Sequence, residues 1–261
     1  MSSSSHADPA PEAMPGGRAA SGGRPPDDPT AADPTAGPRL SQPSEILLDR
    51  LADLIAASPH NLVSRGERPR VRTVHVQECL QLGELLAPAD GSRWMDLGTG
   101  GGLPGLVLAV RYPNVRWTLV DSVRKKVAAV RSFTEALDLT NVTVIHRRAE
   151  ELAWETDHRG RYDGVVSRAL ASLATVMELS RSFLQDHGLL AVVKGPHVVD
   201  ELSDAERARR LLRLEPLHRV NVPDSARPTV LVTMRAHGSP PRRYPRKVGV
   251  PAAAPLGGRP T

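Results

Sequence analysis

The residues with the clearest capacity for chemistry lie in residues 96–105, where an acid is followed by closely spaced glycines (DLGTGGGLPG). Glycine lets the backbone approach a ligand closely and adopt positive φ. Pro104 suits the first position of a helix, and a helix N-terminus offers free N–H groups and a positive dipole to a ligand. The stretch therefore predicts a strand-to-helix turn that holds a nucleotide-like cofactor.

Two cofactor patterns overlap in this turn. Gly100, Gly102 and Gly105 match the dinucleotide spacing G-x-G-x-x-G, with Asp121 about 20 residues further on. Counted from the acid instead, D-L-G-T-G-G-G matches the D-x-G-x-G-x-G turn of S-adenosylmethionine-dependent methyltransferases. Glycine-rich turns also occur in α/β proteins that bind no nucleotide, so the turn alone leaves the three interpretations open.

The elements around the turn favour the methyltransferase. Strands are predicted to alternate with helices, as in a doubly wound sheet, over residues 93–97, 115–120, 142–146, 162–167, 188–194, 214–222 and 229–234. The last two strands have no helix between them, so they should pair antiparallel at one edge. This predicts an α/β class I methyltransferase, a Rossmann-like seven-stranded sheet with helices on both faces. A dinucleotide domain would more often be followed by a separate substrate domain.

The remaining segments complete the predicted organisation. A Pro-, Gly- and Ser-rich leader is too poor in aliphatic residues to fold, and two helices over 44–57 and 74–86 form a small cap. The predicted divisions are a disordered leader (1–43), a helical cap (44–90), the methyltransferase domain (91–236) and a basic, flexible tail (237–261).

Composition limits the class of protein. No apolar run approaches the length of a membrane span, and the leader lacks the apolar region of a secretory signal. Cys79 is the single cysteine, which excludes an internal disulfide and offers no cysteine cluster for a metal. We therefore expect a soluble cytoplasmic protein that needs no metal and has no membrane partner.

The net charge of +5 is unevenly distributed. Residues 235–261 carry five Arg, one Lys and no acid, whereas the leader is acidic and the middle nearly neutral. A basic tail on a nearly neutral domain favours a polyanionic partner. A tail that serves only solubility is the alternative.

Side chains at the carboxyl ends of the strands are the candidates for ligand contact, because ligands of such sheets bind there. Asp121 could bind ribose hydroxyls, and Ala149 with Glu150 could bind the adenine edge, although a solvated acid or a helix N-terminal acid is the plain alternative. Arg168 is placed to meet a methionine carboxylate or a phosphate. Lys194 would face an RNA phosphate or simply cap the sheet.

Five segments together resemble one family, the small-subunit ribosomal RNA methyltransferase G family, also called glucose-inhibited division protein B. They are DLGTGGGLPG (96–105), LVDS (119–122), RAEE (148–151), VSRA (166–169) and the basic YPRKVGVP (244–251). The resemblance covers about residues 60–256. It is weaker in the cap, where Glu78-Cys79 replaces a frequent Asp-Ser pair.

The resemblance implies methyl transfer from S-adenosyl-L-methionine to N7 of a guanine in the decoding-region loop of 16S rRNA. Its cofactor positions fall on Gly98, Leu103, Ala149, Glu150 and Arg168, and the strand argument adds Asp121. On the RNA side it implies contacts by His75, which matches a family histidine, and by Arg246 and Lys247, and we add Lys194. The implied partner is 16S rRNA or a precursor of the small ribosomal subunit, bound by a monomer.

The implied chemistry requires no general base, because guanine N7 has a free lone pair and loses no proton on methylation. We therefore assign no catalytic residue and expect catalysis by positioning and electrostatics. Two alternatives remain open at this point. One is a small-molecule methyltransferase or nicotinamide oxidoreductase, and the other is an assembly factor that binds rRNA without turnover.

Overall fold

A seven-stranded sheet forms the centre of the computed structural model, which describes residues 41–223, 225 and 227–257. All but the last three residues of the predicted leader lie outside the described residues. The strands are β1 (Arg93–Leu97), β2 (Arg116–Asp121), β3 (Val142–His146), β4 (Tyr162–Arg168), β5 (Leu184–Lys194), β6 (Leu214–Asn221) and β7 (Val230–Ala236).

The strand order is β3-β2-β1-β4-β5-β7-β6. Strands β1 to β5 pair in parallel, and β7 pairs antiparallel with both β5 and β6. Strands β1 to β3 are added toward one edge of the sheet, and β4 and β5 are added toward the other. The switch point therefore lies between β1 and β4. The predicted doubly wound sheet with an antiparallel edge is confirmed.

The helices lie in chain order between the strands: α1 (Gln42–Ala57), α2 (Gln77–Leu86), α3 (Gly105–Arg111), α4 (Arg124–Ala136), α5 (Ala149–Leu152), α6 (Leu173–Arg181), α7 (Val198–Asp204), α8 (Glu206–Leu211) and α9 (Val250–Ala253). Helices α7 and α8 are separated at Ala205. One expected boundary differs. Strand β5 begins four residues before the expected 188, because Leu184 already pairs with Tyr162 ahead of an irregularity in the ladder.

The cap helices share a core with the sheet. Helix α1 buries Leu48, Leu51 and Ile55 in the same apolar cluster as Leu106 of α3 and Trp117 of β2. Between α1 and α2 a 3-10 segment (Arg65–Arg70) runs into a π-helical segment (Val71–Val76), so helical structure begins before the expected residue 74. The cap is therefore held against the sheet by apolar burial.

Residues 241–257, here called the C-terminal strap, pack against the domain. This differs from the free, flexible tail expected from the basic composition. The backbone carbonyl of Tyr244 accepts hydrogen bonds from Ser182 Oγ and from Arg159 Nη2, both at 3.0 Å. Arg246 pairs with the fully buried carboxylate of Glu178. Buried partners on the domain therefore fix a segment that sequence composition alone assigns to solvent.

None of the helices in the described part of the chain is long and apolar enough to cross a membrane.

Candidate cofactor and substrate site

The glycine turn joins β1 to α3. Gly98, Gly100 and Gly102 have φ of 76°, 57° and 92°, a region that residues with a Cβ rarely adopt. The backbone N–H groups of Gly98 and Thr99 donate to the carbonyl of Val120 at 2.8 and 3.0 Å. The turn therefore lies against the end of β2, at the switch point of the sheet.

Asp96 holds the turn from inside the protein. Its side chain is fully buried, and Oδ2 accepts hydrogen bonds from Thr99 Oγ1 at 2.7 Å and from the Gly105 N–H at 2.9 Å. Burial raises the pKa of Asp96 to about 6, against the opposing effect of these two hydrogen bonds. Asp96 was not among the predicted site residues, although its place at the start of the D-x-G-x-G-x-G pattern was the available signal.

Asp121 holds the same turn from the cleft side. It ends β2 and is 8% exposed. Its Oδ2 accepts from the Gly100 N–H at 2.9 Å and its Oδ1 from the Val123 N–H at 2.8 Å. The carboxylate therefore has a fixed orientation at the carboxyl end of β2, where a ribose would be bound in such a sheet.

A cleft of about 370 Å³, here called the first cleft, opens beside Asp121. It brings together four of the six predicted cofactor residues, which are Gly98, Asp121, Ala149 and Glu150. Leu103 lies outside its lining and is buried in the apolar core. Arg168 also lies outside it. The cleft is completed by residues that the sequence analysis did not assign, among them Ser122, Arg147, Arg148 and Leu170.

Glu150 is buried in the wall of the first cleft, with 4% of its surface exposed. Its Oε1 accepts from Arg148 Nη2 at 2.9 Å and from the Gly249 N–H of the strap at 3.0 Å. Burial acts to raise the pKa of Glu150, but the hydrogen bonds from Arg148 and Gly249 outweigh it, and the pKa is lowered. Glu150 is therefore ionised at neutral pH and able to accept a further hydrogen bond.

A second cleft, of about 1240 Å³, opens at the carboxyl ends of β4 and β5. It brings together three predicted residues, His75, Arg168 and Lys194, with Glu78, His197 and Arg227. Arg168 Nη1 lies 3.6 Å from Glu78 Oε2. Lys194 Nζ donates to the Ala171 carbonyl at 2.5 Å and to Glu201 Oε2 at 2.7 Å. The side chains therefore form a largely cationic pocket with paired charges.

His75 lies in this pocket as a neutral side chain. Burial lowers the pKa of His75, and the positive charge of Arg168 lowers it further, which outweighs the nearby carboxylates of Glu78 and Glu67. Its Nε2 lies 3.1 Å from Glu67 Oε2. His75 therefore adds polarity but no charge to the pocket at neutral pH.

The two clefts adjoin one another through three consecutive residues. Arg168 and Ala169 line the second cleft, and Leu170 lines the first. Ala169 has a φ of 53°, which turns the chain sharply between the two. Ser167 Oγ donates to the Leu97 carbonyl at 2.9 Å and so ties the end of β4 to the end of β1.

The two predicted residues of the C-terminal region lie outside both linings. Arg246 pairs with Glu178 through Nε and Nη2, so its guanidinium is committed to a buried carboxylate. Lys247 is exposed. The expected RNA contact of Lys247 stays a prediction, whereas the structure places Arg246 in a structural ion pair that the sequence analysis missed.

The residues of the first cleft suit a nucleoside. Two hydrogen-bonded carboxylates, Asp121 and Glu150, can accept further hydrogen bonds from hydroxyl and amine donors, which ribose and adenine supply. The glycine turn presents bare backbone, and a Cβ on Gly98 would lie 2.6 Å from Leu170 Cδ1. A side chain at Gly98 would therefore have to displace Leu170 and would also be strained by the φ of 76°.

The strand order, the glycine turn and the acid at the end of β2 define a class I methyltransferase, a class that uses S-adenosyl-L-methionine. A solved structure with this fold is geranyl diphosphate C-methyltransferase from Streptomyces coelicolor A3(2), in complex with S-adenosyl-L-homocysteine. It is 11% identical, with a TM-score of 0.51 over 75% of this chain and 99% of that one. At this identity the likeness concerns the fold alone.

The family is given by sequence. Residues 45–230 match the family model described as rRNA small subunit methyltransferase G, and the chain belongs to this family. The "Ribosomal RNA small subunit methyltransferase G" of Thermotoga sp. (strain RQ2) is 34% identical over 84% of this chain and 95% of its own length. That of Deinococcus deserti is 42% identical over 68% of this chain and 72% of its own length. The predicted family and the predicted cofactor are thus confirmed.

Proposed function

We propose that the protein methylates N7 of a guanine in the decoding-region loop of 16S rRNA, with the nucleoside of S-adenosyl-L-methionine in the first cleft and the guanine in the second. The observation that carries the proposal is that three consecutive residues line the two clefts, Arg168 and Ala169 the second and Leu170 the first. Methyl transfer requires donor and acceptor to meet, and this junction is where ligands of the two clefts would do so.

The two carboxylates of the first cleft would bind different parts of the cofactor. Asp121 would accept hydrogen bonds from the ribose hydroxyls, and Glu150 from the exocyclic amine of the adenine. The bound cofactor supplies an electrophilic methyl group on a sulfonium. Gly98 would allow close approach of the methionine part, and Arg168 lies at the side where a carboxylate would enter.

The second cleft suits a guanine within RNA. Its other cationic side chains, Lys194 and the 83% exposed Arg227, can bind phosphates on either side of the base. Guanine N7 gains a positive charge on methylation, and the Glu78 carboxylate beside Arg168 is placed to offset it. No group is needed to remove a proton, so the chain's role is to orient the base and exclude water.

The N7 atom lies on the major-groove edge of guanine, which protein side chains do not reach in A-form RNA. The proposed substrate is therefore a guanine in a loop, or one exposed during assembly of the small subunit. Binding would depend on phosphate contacts more than on stacking, because the chain has only three Trp, three Tyr and two Phe.

The test is incubation of the purified protein with tritiated S-adenosyl-L-methionine and small-subunit RNA or 30S particles that lack the modification. Borohydride reduction and aniline cleavage then map any N7-methylguanine. We expect a single new cleavage in the decoding-region loop, lost in Asp121→Ala and kept in Asp53→Asn, an exposed change on α1.

The other outcomes distinguish the alternatives. Binding of S-adenosyl-L-methionine without label on RNA or particles would point to a small-molecule substrate. Tight RNA binding with no transfer would identify an assembly factor. Binding of a nicotinamide cofactor in place of S-adenosyl-L-methionine would overturn the assignment of the glycine turn.

A further inference from the structure

The C-terminal strap reaches the first cleft from a distant part of the chain. The Gly249 N–H donates to Glu150 Oε1 at 3.0 Å, across 99 positions of sequence. Arg148 Nη2 donates to the same oxygen at 2.9 Å. The carboxylate that faces the first cleft is therefore oriented by two donors, one of which belongs to the strap.

The strap is fastened to α6 on both sides of Gly249. On one side, Arg246 holds the fully buried Glu178 by Nε to Oε1 at 2.9 Å and Nη2 to Oε2 at 2.6 Å. On the other side, the Pro251 carbonyl accepts from Thr175 Oγ1 at 2.9 Å. Two-point attachment of this kind fixes the direction of the Gly249 N–H, because a paired, bidentate Arg–carboxylate contact allows little rotation.

We propose that the C-terminal strap is part of the cofactor site: it holds Glu150 in the orientation in which its carboxylate accepts the exocyclic amine of adenine. Gly249 is in this view a positioning residue, and the basic strap serves cofactor binding rather than RNA binding alone. The inference rests on the proposed placement of the nucleoside in the first cleft.

The hydrogen-bonding capacity of Glu150 supports this role. An ionised carboxylate has about four acceptor positions. Arg148 and the Gly249 N–H both donate to Oε1. Acceptor positions on Oε2 therefore remain for a ligand donor, and the buried setting makes loss of either donor costly.

The first variant ends the chain after Lys247, which removes Gly249 and α9 but keeps the Arg246–Glu178 pair. Because Glu178 stays paired, this truncation avoids leaving an unpaired buried charge. The matched control lacks only 258–261 and keeps the whole strap. By isothermal titration calorimetry we expect the truncation to bind S-adenosyl-L-homocysteine about tenfold more weakly, and the control to stay within twofold of the full chain.

A second pair of variants avoids truncation altogether. Gly249 and Gly91 have similar φ, 81° and 78°, and a Cβ on either would meet nothing within 4 Å. Gly249→Ala and Gly91→Ala thus impose the same backbone strain, but only Gly249 contacts Glu150. We expect weaker cofactor binding from Gly249→Ala alone, with similar losses of melting temperature in both.

A modified ligand separates positioning of Glu150 from general support of the fold. S-inosyl-L-homocysteine carries a carbonyl where adenine has its amine, so it lacks the exocyclic N–H donor that the proposal pairs with Glu150. We expect the truncation to weaken binding of S-adenosyl-L-homocysteine about tenfold and to leave the affinity for the inosyl analogue unchanged. Glu150→Gln should have the same two effects. Combined with Glu150→Gln, the truncation should cost no further affinity.

Three results would overturn the proposal: equal losses for both ligands, no loss at all, or a loss of RNA binding with unchanged cofactor affinity. If Glu150→Gln itself has no effect, the placement of the nucleoside fails instead. Because none of these titrations uses methyl transfer, a failure to methylate 16S rRNA would reject the proposed target and leave this inference standing.

Discussion

Asp96 and Asp121 hold the glycine turn from opposite sides, and their surroundings give them different properties. Asp121 is at the cleft and binds two backbone N–H groups, while Asp96 is fully buried beneath the turn. Only Asp121 is therefore in a position to meet a ligand. Asp96 acts through the geometry of the turn.

Asp121→Asn tests the ribose contact. A hydrogen bond to a charged group contributes about 1.5–3 kcal/mol, so we expect the Kd for S-adenosyl-L-homocysteine to rise roughly ten- to a hundredfold by calorimetry. Asp53→Asn, exposed on α1, is the control and should change the Kd less than twofold. An unchanged Kd in Asp121→Asn would place the ribose elsewhere.

Asp96→Asn tests the effect of burial on ionisation. The pKa of Asp96 is raised to about 6 from an ordinary 3.8, so the folded state holds this proton longer than the unfolded state. The protonated form of Asp96 therefore favours the folded state below pH 4, and this contribution to the free energy of unfolding is lost as pH rises through 6. Asn cannot ionise, so the stability of Asp96→Asn relative to wild type should rise between pH 4 and 7, by on the order of 3 kcal/mol.

Urea denaturation at each pH measures this difference. Asp53→Asn, an exposed change on α1, is the control for the substitution itself. A stability difference between Asp96→Asn and wild type that stays constant from pH 4 to 7 would mean that Asp96 ionises normally in the folded protein.

Residues that follow strands could be predicted from sequence, and residues that act across the fold could not. Asp121 and Glu150, which line the first cleft, were predicted because Asp121 ends one strand and Glu150 follows another, where ligands of parallel sheets bind. The Gly249 contact joins positions 99 apart, and no local pattern indicates it. Arg246 was assigned to RNA on the family resemblance, and nothing in the sequence of α6 marks Glu178 as its buried partner.

At the level of elements, the junction between β1 and α3 depends on close packing at Gly105. A Cβ there would lie 2.6 Å from Asp96 Oδ2 and 2.9 Å from Leu119 Cγ. Gly105 has no positive φ to satisfy, so the requirement for glycine is steric. The helix can approach the strand only because this side chain is absent.

Gly105→Ala should therefore destabilise the protein, because overpacking of a close-packed core costs about 1–3 kcal/mol. For a chain of this size, each kcal/mol lowers the melting temperature by about 2–4 °C. Gly66→Ala is the matched control, since a Cβ at Gly66 meets nothing within 4 Å. Equal melting temperatures for the two variants by calorimetry would contradict the packing argument.

The order of strands and helices was predictable because buried parallel strands are continuous apolar runs, separated here by amphipathic helices. The strap is different: its conformation depends on hydrogen bonds with side chains of the domain, such as Arg159 and Ser182, which donate to the Tyr244 carbonyl. Composition predicts whether a segment can form an apolar core. It does not predict whether a polar segment forms hydrogen bonds with a folded domain.

At the scale of the whole molecule, cationic side chains are concentrated around the second cleft. The second cleft opens where β4 and β5 end, and the 3-10 segment Arg65–Arg70 adjoins it, because Glu67 lies 3.6 Å from Arg227 and 3.1 Å from His75. A polyanion that enters the second cleft would meet this surface first. The expected dependence of RNA binding on phosphate contacts can therefore be tested one side chain at a time.

Affinity for a small-subunit RNA fragment should fall linearly with the logarithm of salt concentration, with a slope of about −0.7 to −0.9 per phosphate contact. Arg227 is 83% exposed at the edge of the second cleft, so Arg227→Ala should make the slope shallower by about one contact. Arg210, 73% exposed on α8 and in the lining of neither cleft, is the control, and Arg210→Ala should leave the slope unchanged. Fluorescence anisotropy over 50–300 mM salt measures both slopes. If the two variants change the slope equally, the attraction comes from net charge, and RNA enters by no preferred face; if only Arg227→Ala changes it, the second cleft is the route by which RNA reaches the methyl donor.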